Sequence, residues 1–267
     1  MIANQGPGPA YTRERRLMFV AAVAVVTAIT LSSMALAVQV AAQWPHITRV
    51  RVASRVVTES SVLTASRGKV VFSDTFRDHR RYDFSTSPFE SAGTSYTYTT
   101  NGLEIVATGF LIHVASPPYN TQVRQVGMSV SATQTADTPL GAGFGVQCRR
   151  GSGADAVRYQ MYAAGSIWFV VRRDGLSGSQ AFVLKQGTPL AMPGPVSMTI
   201  VGVCATLADG LSTRVAMFVN GIAVADLVDT ANALPGSGWL TGLIVASLDK
   251  APSKVTATSY EVRNLSA

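Results

Sequence analysis

The chain has 267 residues, 47% of them hydrophobic and only 14% charged, with a formal net charge of +7 and a pI near 9.7. That length holds one domain of ordinary size plus a targeting segment, and leaves no room for a second full domain. Six of the seven net charges fall before position 70, where Arg13, Arg15, Arg16, Arg49, Arg51, Arg55, Arg67 and Lys69 face only Glu14 and Glu59. The rest is nearly neutral, without a basic stripe interleaved with aromatics, so a nucleic-acid partner is set aside.

Residues 1–16 read as a short tail, polar and rich in Gly and Pro at its start, on the cytoplasmic side. From Leu17 to Val40 there is no charged residue, no Pro and no Gly. About 20 apolar residues suffice to cross a bilayer as a helix, which satisfies its own backbone hydrogen bonds in lipid. Residues 17–42 are therefore expected to be a transmembrane helix whose partner is the lipid bilayer. Ala35-Leu36-Ala37 also fits a small-residue cleavage site. The length of the run favours an uncleaved signal-anchor over a removable signal peptide. Arg13, Arg15 and Arg16 abut the span and orient it with the C-terminal part outside the cytoplasm, although Arg49, Arg51 and Arg55 follow on the other side. Residues 43–69 show no helical face and are read as a stalk, with Trp44 at the interface and Pro45 discouraging continuation of the helix.

Beyond the stalk, from 70 to 267, short runs of β-branched and aromatic residues alternate with turn signals. Strands are expected at 70–72, 96–99, 103–108, 127–133, 143–149, 156–163, 166–172, 181–185, 196–203, 212–219, 222–227, 242–248 and 256–262. Asn101-Gly102, Asp174-Gly175, Asp209-Gly210 and Asn220-Gly221 fall between them, and Asn220-Gly221 has the composition of a type I′ hairpin turn. Almost no period of 3.6 residues is present. The fold class is therefore all-β, an antiparallel sandwich. The two cysteines, Cys148 and Cys204, have no His or second Cys at metal-ligand spacing, which makes a zinc site improbable and leaves one disulfide or two buried thiols.

The order of these pieces resembles the concanavalin A-like, or laminin G-like, jelly-roll domains of lectins and glucanases, closest to versions tethered outside bacterial membranes. The matching stretches are FSDTF (72–76), GFGVQCRR (143–150), RYQMY (158–162), SIWFVVRRDG (166–175), MTIVGVCA (198–205), RVAMFVNGIAVADL (214–227), GLIVAS (242–247) and TSYEVRN (258–264). The resemblance implies a jelly roll in which the FSDTF and TSYEVRN strands pair, and a cross-strand disulfide between Cys148 and Cys204. The segment 84–92 departs from the family in lacking its usual aromatic signature.

Glucanases of this fold use two carboxylates on one strand, Glu-x-Asp-x-x-Glu, to act as nucleophile and acid. That pattern is absent, as is the Gly-x-Ser-x-Gly of serine hydrolases, and His46, His79 and His113 lie in no catalytic motif. Glu104 and Glu261 are the acids expected inside strands. Asp74, Asp78 and Asp83 form a local acidic cluster, read first as turn formers, with calcium as the cation their hard oxygens would suit. No cofactor is expected. Sugar sites set aromatic faces beside planar polar groups, so Arg149, Tyr159, Tyr162, Trp168, Arg172 and the loop residue Trp239 are the candidate ligand contacts. The chain is expected to be a membrane-anchored, extracytoplasmic, non-catalytic module for envelope glycan or an envelope protein. A glycoside hydrolase-like enzyme with an atypical site and a structural subunit of an envelope complex are the alternatives.

Overall fold

The computed structural model describes residues 68–77, 94–108, 112–115, 120–121, 124–134, 142–151, 156–165, 167–175, 180–187, 197–230, 238–247 and 252–266. All lie in the compact unit His46–Ala267. The expected tail and membrane segment, nearly all of the stalk, and Asp78 and Asp83 lie outside them; among the described residues no helix is long and apolar enough to cross a membrane.

Fifteen strands are described, in chain order β1 (Lys69–Asp74), β2 (Thr94–Thr99), β3 (Gly102–Ala107), β4 (Ile112–Ala115), β5 (Asn120–Thr121), β6 (Gln125–Gln134), β7 (Ala142–Arg150), β8 (Val157–Ala164), β9 (Ile167–Asp174), β10 (Gln180–Gly187), β11 (Ser197–Thr206), β12 (Thr213–Val219), β13 (Ile222–Asp229), β14 (Trp239–Ser247) and β15 (Ser253–Asn264). Thirteen coincide with expected strands; β4 and β5, of four residues and two, were not expected, being too short to show a period.

Every pairing is antiparallel. The first sheet runs β10-β9-β8-β7-β14-β4, with β5 also on β14, and the second runs β13-β12-β11-β6-β15-β3-β2, with β1 also on β15. β3 takes the first half of β15 (Ser253–Ala257) and β1 the second (Tyr260–Asn264), so FSDTF does pair with TSYEVRN. β15 shows how the chain sustains this. Val255 and Ala257 point inward, the register shifts between Ala257 and Ser259, and the inward set becomes Tyr260 and Val262. The bulge moves the apolar set from odd to even positions without losing the core. At the β12–β13 hairpin Asn220 and Gly221 have φ of 50° and 80°, the two positive values a type I′ turn needs.

The inner faces of the two sheets form one core that includes Phe144, Val146, Tyr159, Met161 and Trp239 from the first and Leu103, Met128, Ile200, Met217 and Tyr260 from the second. Cys148 and Cys204 are bonded, but β7 and β11 belong to different sheets. The bridge crosses the core, which corrects the expectation of strands lying side by side.

Candidate functional site

Side chains alternate along a strand, so each face of the first sheet collects every second residue. On β8, Val157, Tyr159, Met161 and Ala163 enter the core, which leaves Arg158, Gln160, Tyr162 and Ala164 on the outer face. Register extends that face across its neighbours in rows. Arg149, Arg158 and Arg173 stand opposite one another on β7, β8 and β9; Gln147, Gln160 and Val171 form the next row, and Gly145, Tyr162 and Phe169 the third.

The third row depends on a glycine. A Cβ at Gly145 would lie 2.0 Å from the Met161 carbonyl oxygen and 2.5 Å from the Tyr162 Cα, so no larger residue allows this approach. The Tyr162 and Phe169 rings stack with centroids 5.2 Å apart and planes at 23°. They join Ala164, Val171, Ala181, Ile244 and Ala246 in a second buried apolar cluster on the outer face. Because β7, β8, β9 and β14 bury residues on both faces, they read in sequence as nearly continuous apolar runs.

Apart from Val171, the first two rows are polar and directional. Arg173 donates from Nε to Gln160 Oε1 at 2.9 Å, and Gln160 donates from Nε2 to Gln147 Oε1 at 2.8 Å. The cation thereby sets the orientation of both amides, and the chain ends on the Gln147 amino group, a donor. Arg158 donates to the Gly175 carbonyl at 2.7 Å, which holds it along the sheet end. Its pKa is lowered by desolvation and, after that, by the cations of Arg173 and Arg149. The Tyr162 hydroxyl is fully buried and has no hydrogen-bond partner among the described residues; burial pushes its pKa up, against the pull of the Arg173 cation. Tyr162, Phe169, Gln147 and Gln160 are buried, so on this face the partly exposed guanidinium groups of Arg149, Arg158 and Arg173 are the ones placed to hydrogen-bond a hydroxyl-rich ligand.

Of the six residues expected from sequence to touch a ligand, Arg149 and Tyr162 stand on this outer face, while Tyr159, Trp168, Arg172 and Trp239 face the interior. The Tyr159 hydroxyl donates to Asp229 at 2.8 Å; Arg172 bonds Asp229 at 3.0 Å and holds Asp174 with two further bonds. Trp239 lies 6.1 Å from the Tyr159 ring and donates to the Arg124 carbonyl, with the Arg150 guanidinium 5.8 Å from its ring centre. Trp168 packs on Gly187, where a Cβ would fall 2.3 Å from its ring. Gln147, Arg158, Gln160, Phe169 and Arg173 were missed. The signal that finds them is parity with Arg149 and Tyr162, once the inward face is known.

The acids are placed as follows. Asp74 is buried and accepts the Phe76 amide at 2.7 Å, where Phe76 adopts a positive φ of 57°. Glu104 pairs with Lys254 at 2.8 Å and Glu261 with Arg263, both pairs on the second sheet. Among the described residues no group of three or more His, Cys, Asp or Glu side chains is placed to hold a metal ion.

A solved Bacillus subtilis protein of unknown function with a galectin-like fold aligns at a TM-score of 0.51 and 11% identity, over 74% of this chain and 96% of that one. The fold is a galectin-like β-sandwich. Other solved structures similar to this lectin-like sandwich include a carbohydrate-binding module of Bacillus subtilis (TM-score 0.46, 12% identity, 66% and 96% of the two chains). An alginate lyase in complex with an alginate tetrasaccharide also aligns (TM-score 0.48, 9% identity, 65% and 86%). No protein-family model and no curated protein matches the chain.

Proposed function

We propose that this galectin-like sandwich is a non-catalytic glycan-recognition module, of the concanavalin A-like kind, held outside the cytoplasm by the apolar segment at 17–40. The observation that carries the reading is the outer face of the first sheet, where the partly exposed guanidinium groups of Arg149, Arg158 and Arg173 share one row beside the buried Gln160–Gln147 hydrogen bond and the Tyr162–Phe169 stack. Planar guanidinium donors held in a row by the sheet are able to hydrogen-bond sugar hydroxyls. The apolar segment and the inter-sheet disulfide agree with a domain that is exported and tethered.

Full-length protein in detergent, applied to a glycan array, is expected to bind a saccharide, and Arg158→Ala is expected to weaken that binding about tenfold, the effect of losing a charge-assisted hydrogen bond. Absence of binding to every glycan, or turnover of a bound polysaccharide, contradicts the reading. The membrane part is tested by carbonate extraction of the native protein. Retention in the pellet is expected, and a mature chain starting near Val38 overturns the anchor.

A further inference from the structure

The chain has two Asn-Gly pairs, Asn101-Gly102 where β2 turns into β3 and Asn220-Gly221 between β12 and β13. An asparagine before a glycine carries a latent reaction, because with no Cβ to hinder it the glycine nitrogen can reach the side-chain amide carbon. In sequence the two pairs have equal standing. The structure separates them. Asn220 is held on β11: its Oδ1 accepts the Thr199 amide at 2.9 Å while its own amide donates to the Thr199 carbonyl at 2.8 Å. Attack on that side chain has to break the first of these bonds. Asn101 is exposed, and although its backbone amide donates to Thr99 Oγ1 at 3.2 Å, its side-chain amide has no hydrogen-bond partner among the described residues.

We propose that Asn101 is a site of spontaneous deamidation whose product loosens the β2–β3 hairpin. The Gly102 nitrogen bonds to the Asn101 side-chain carbon, the bond from that carbon to the amide nitrogen breaks, and the Gly102 proton leaves with the amide as ammonia, closing a succinimide. Water then opens the ring. Breaking the new bond leaves aspartate, whereas breaking the original peptide bond leaves isoaspartate, in which the main chain runs through the side chain and is one carbon longer. Gly102 has no room for that carbon. Its φ is 137°, and a Cβ on it would lie 2.1 Å from the Ala257 carbonyl oxygen and 3.3 Å from the Thr258 Cα, at the bulge where β15 changes register. A longer link from 101 to 102 therefore displaces the Thr99–Gly102 pair that closes the hairpin. β2 stands at the end of its sheet and pairs with β3 among the described strands, so the change falls on an edge.

The test ages the full-length protein in detergent at mildly alkaline pH, where the attacking amide gives up its proton more readily, and follows its peptides by mass. The peptide that carries Asn101 is expected to gain the mass of an amide-to-acid exchange about tenfold faster than the one that carries Asn220, the factor set by one hydrogen bond that has to open first. An isoaspartyl methyltransferase is expected to label the Asn101 peptide of the aged protein, and amide hydrogen exchange to rise in β2. Asn101→Gln, whose longer side chain closes a ring far more slowly, is expected to abolish both changes. The comparison of the two asparagines in the native protein stands even if that variant fails to fold. No mass gain at Asn101, or equal rates at the two sites, overturns the proposal. Isoaspartate at position 101 with β2 exchanging as before overturns the loosening of the hairpin.

Discussion

Replacing Asp229 by Ala is expected to lower the stability of the sandwich by about 3–5 kcal/mol, the range for breaking a buried ion pair by removing one partner. Arg172 and Asp229 are each only 4% exposed. Asp229 receives both the Arg172 guanidinium and the Tyr159 hydroxyl, so its loss strips one partner from a buried cation and leaves a buried phenol without its acceptor. Asp174 continues to hold Arg172 but is itself 28% exposed, so solvent screens its charge more than that of Asp229. If the cost arises from the unmatched charge, the double variant Arg172→Met with Asp229→Leu should lose less than Asp229→Ala alone, because it removes both charges and keeps the volume apolar. Denaturant unfolding of the three proteins checks this, and a double variant less stable than the single one would show that the network contributes net stability of its own.

Replacing Cys148 and Cys204 together by Ala is expected to cost about 2–4 kcal/mol, the usual value for a bridge that closes a long loop. The two residues are 56 positions apart and fasten β7 of the first sheet to β11 of the second, through the core and next to no other covalent tie. Without the bridge the two sheets are held at that point by apolar packing and the Arg150–Thr206 hydrogen bond, and the unfolded chain recovers the freedom that the closed loop had removed. Peptide mapping without reductant should recover Cys148 joined to Cys204. Two thiols open to alkylation in the native exported protein would refute the assignment.

The strand plan was largely legible because turns are written in residue type. Asn220-Gly221 meets the steric demand of two positive φ values, and β12 and β13 follow on either side. The one-residue bulge that resets β15 was not legible, since Thr256 to Ser259 contains no glycine or other marker of a register shift. For the site, the limit was knowing which face of a two-sided strand looks inward. In IWFVVRRD, Trp168, Val170 and Arg172 share one parity and Phe169, Val171 and Arg173 the other, and both sets are apolar until the arginines. Arg172 and Arg173 must therefore part company, but nothing local says which one enters the core. Tyr159 and Tyr162, three residues apart, likewise lie on opposite faces, so grouping them by chemistry joined a residue of the core between the sheets to one of the buried cluster on the outer face. Cys148 offered the way out: a half-cystine buried between sheets puts its neighbour Arg149 outside, and register then carries the outer face to Arg158 and Arg173.

The most direct test of the proposed glycan-binding face is amide hydrogen exchange on the full-length protein with and without a bound saccharide. Protection is expected to rise on β7, β8 and β9, strongest in the peptides that carry Arg149, Arg158 and Arg173, with the second sheet unchanged. A saccharide that binds and protects β6, β11 and β15 instead, leaving β7 to β9 as they were, would contradict the account.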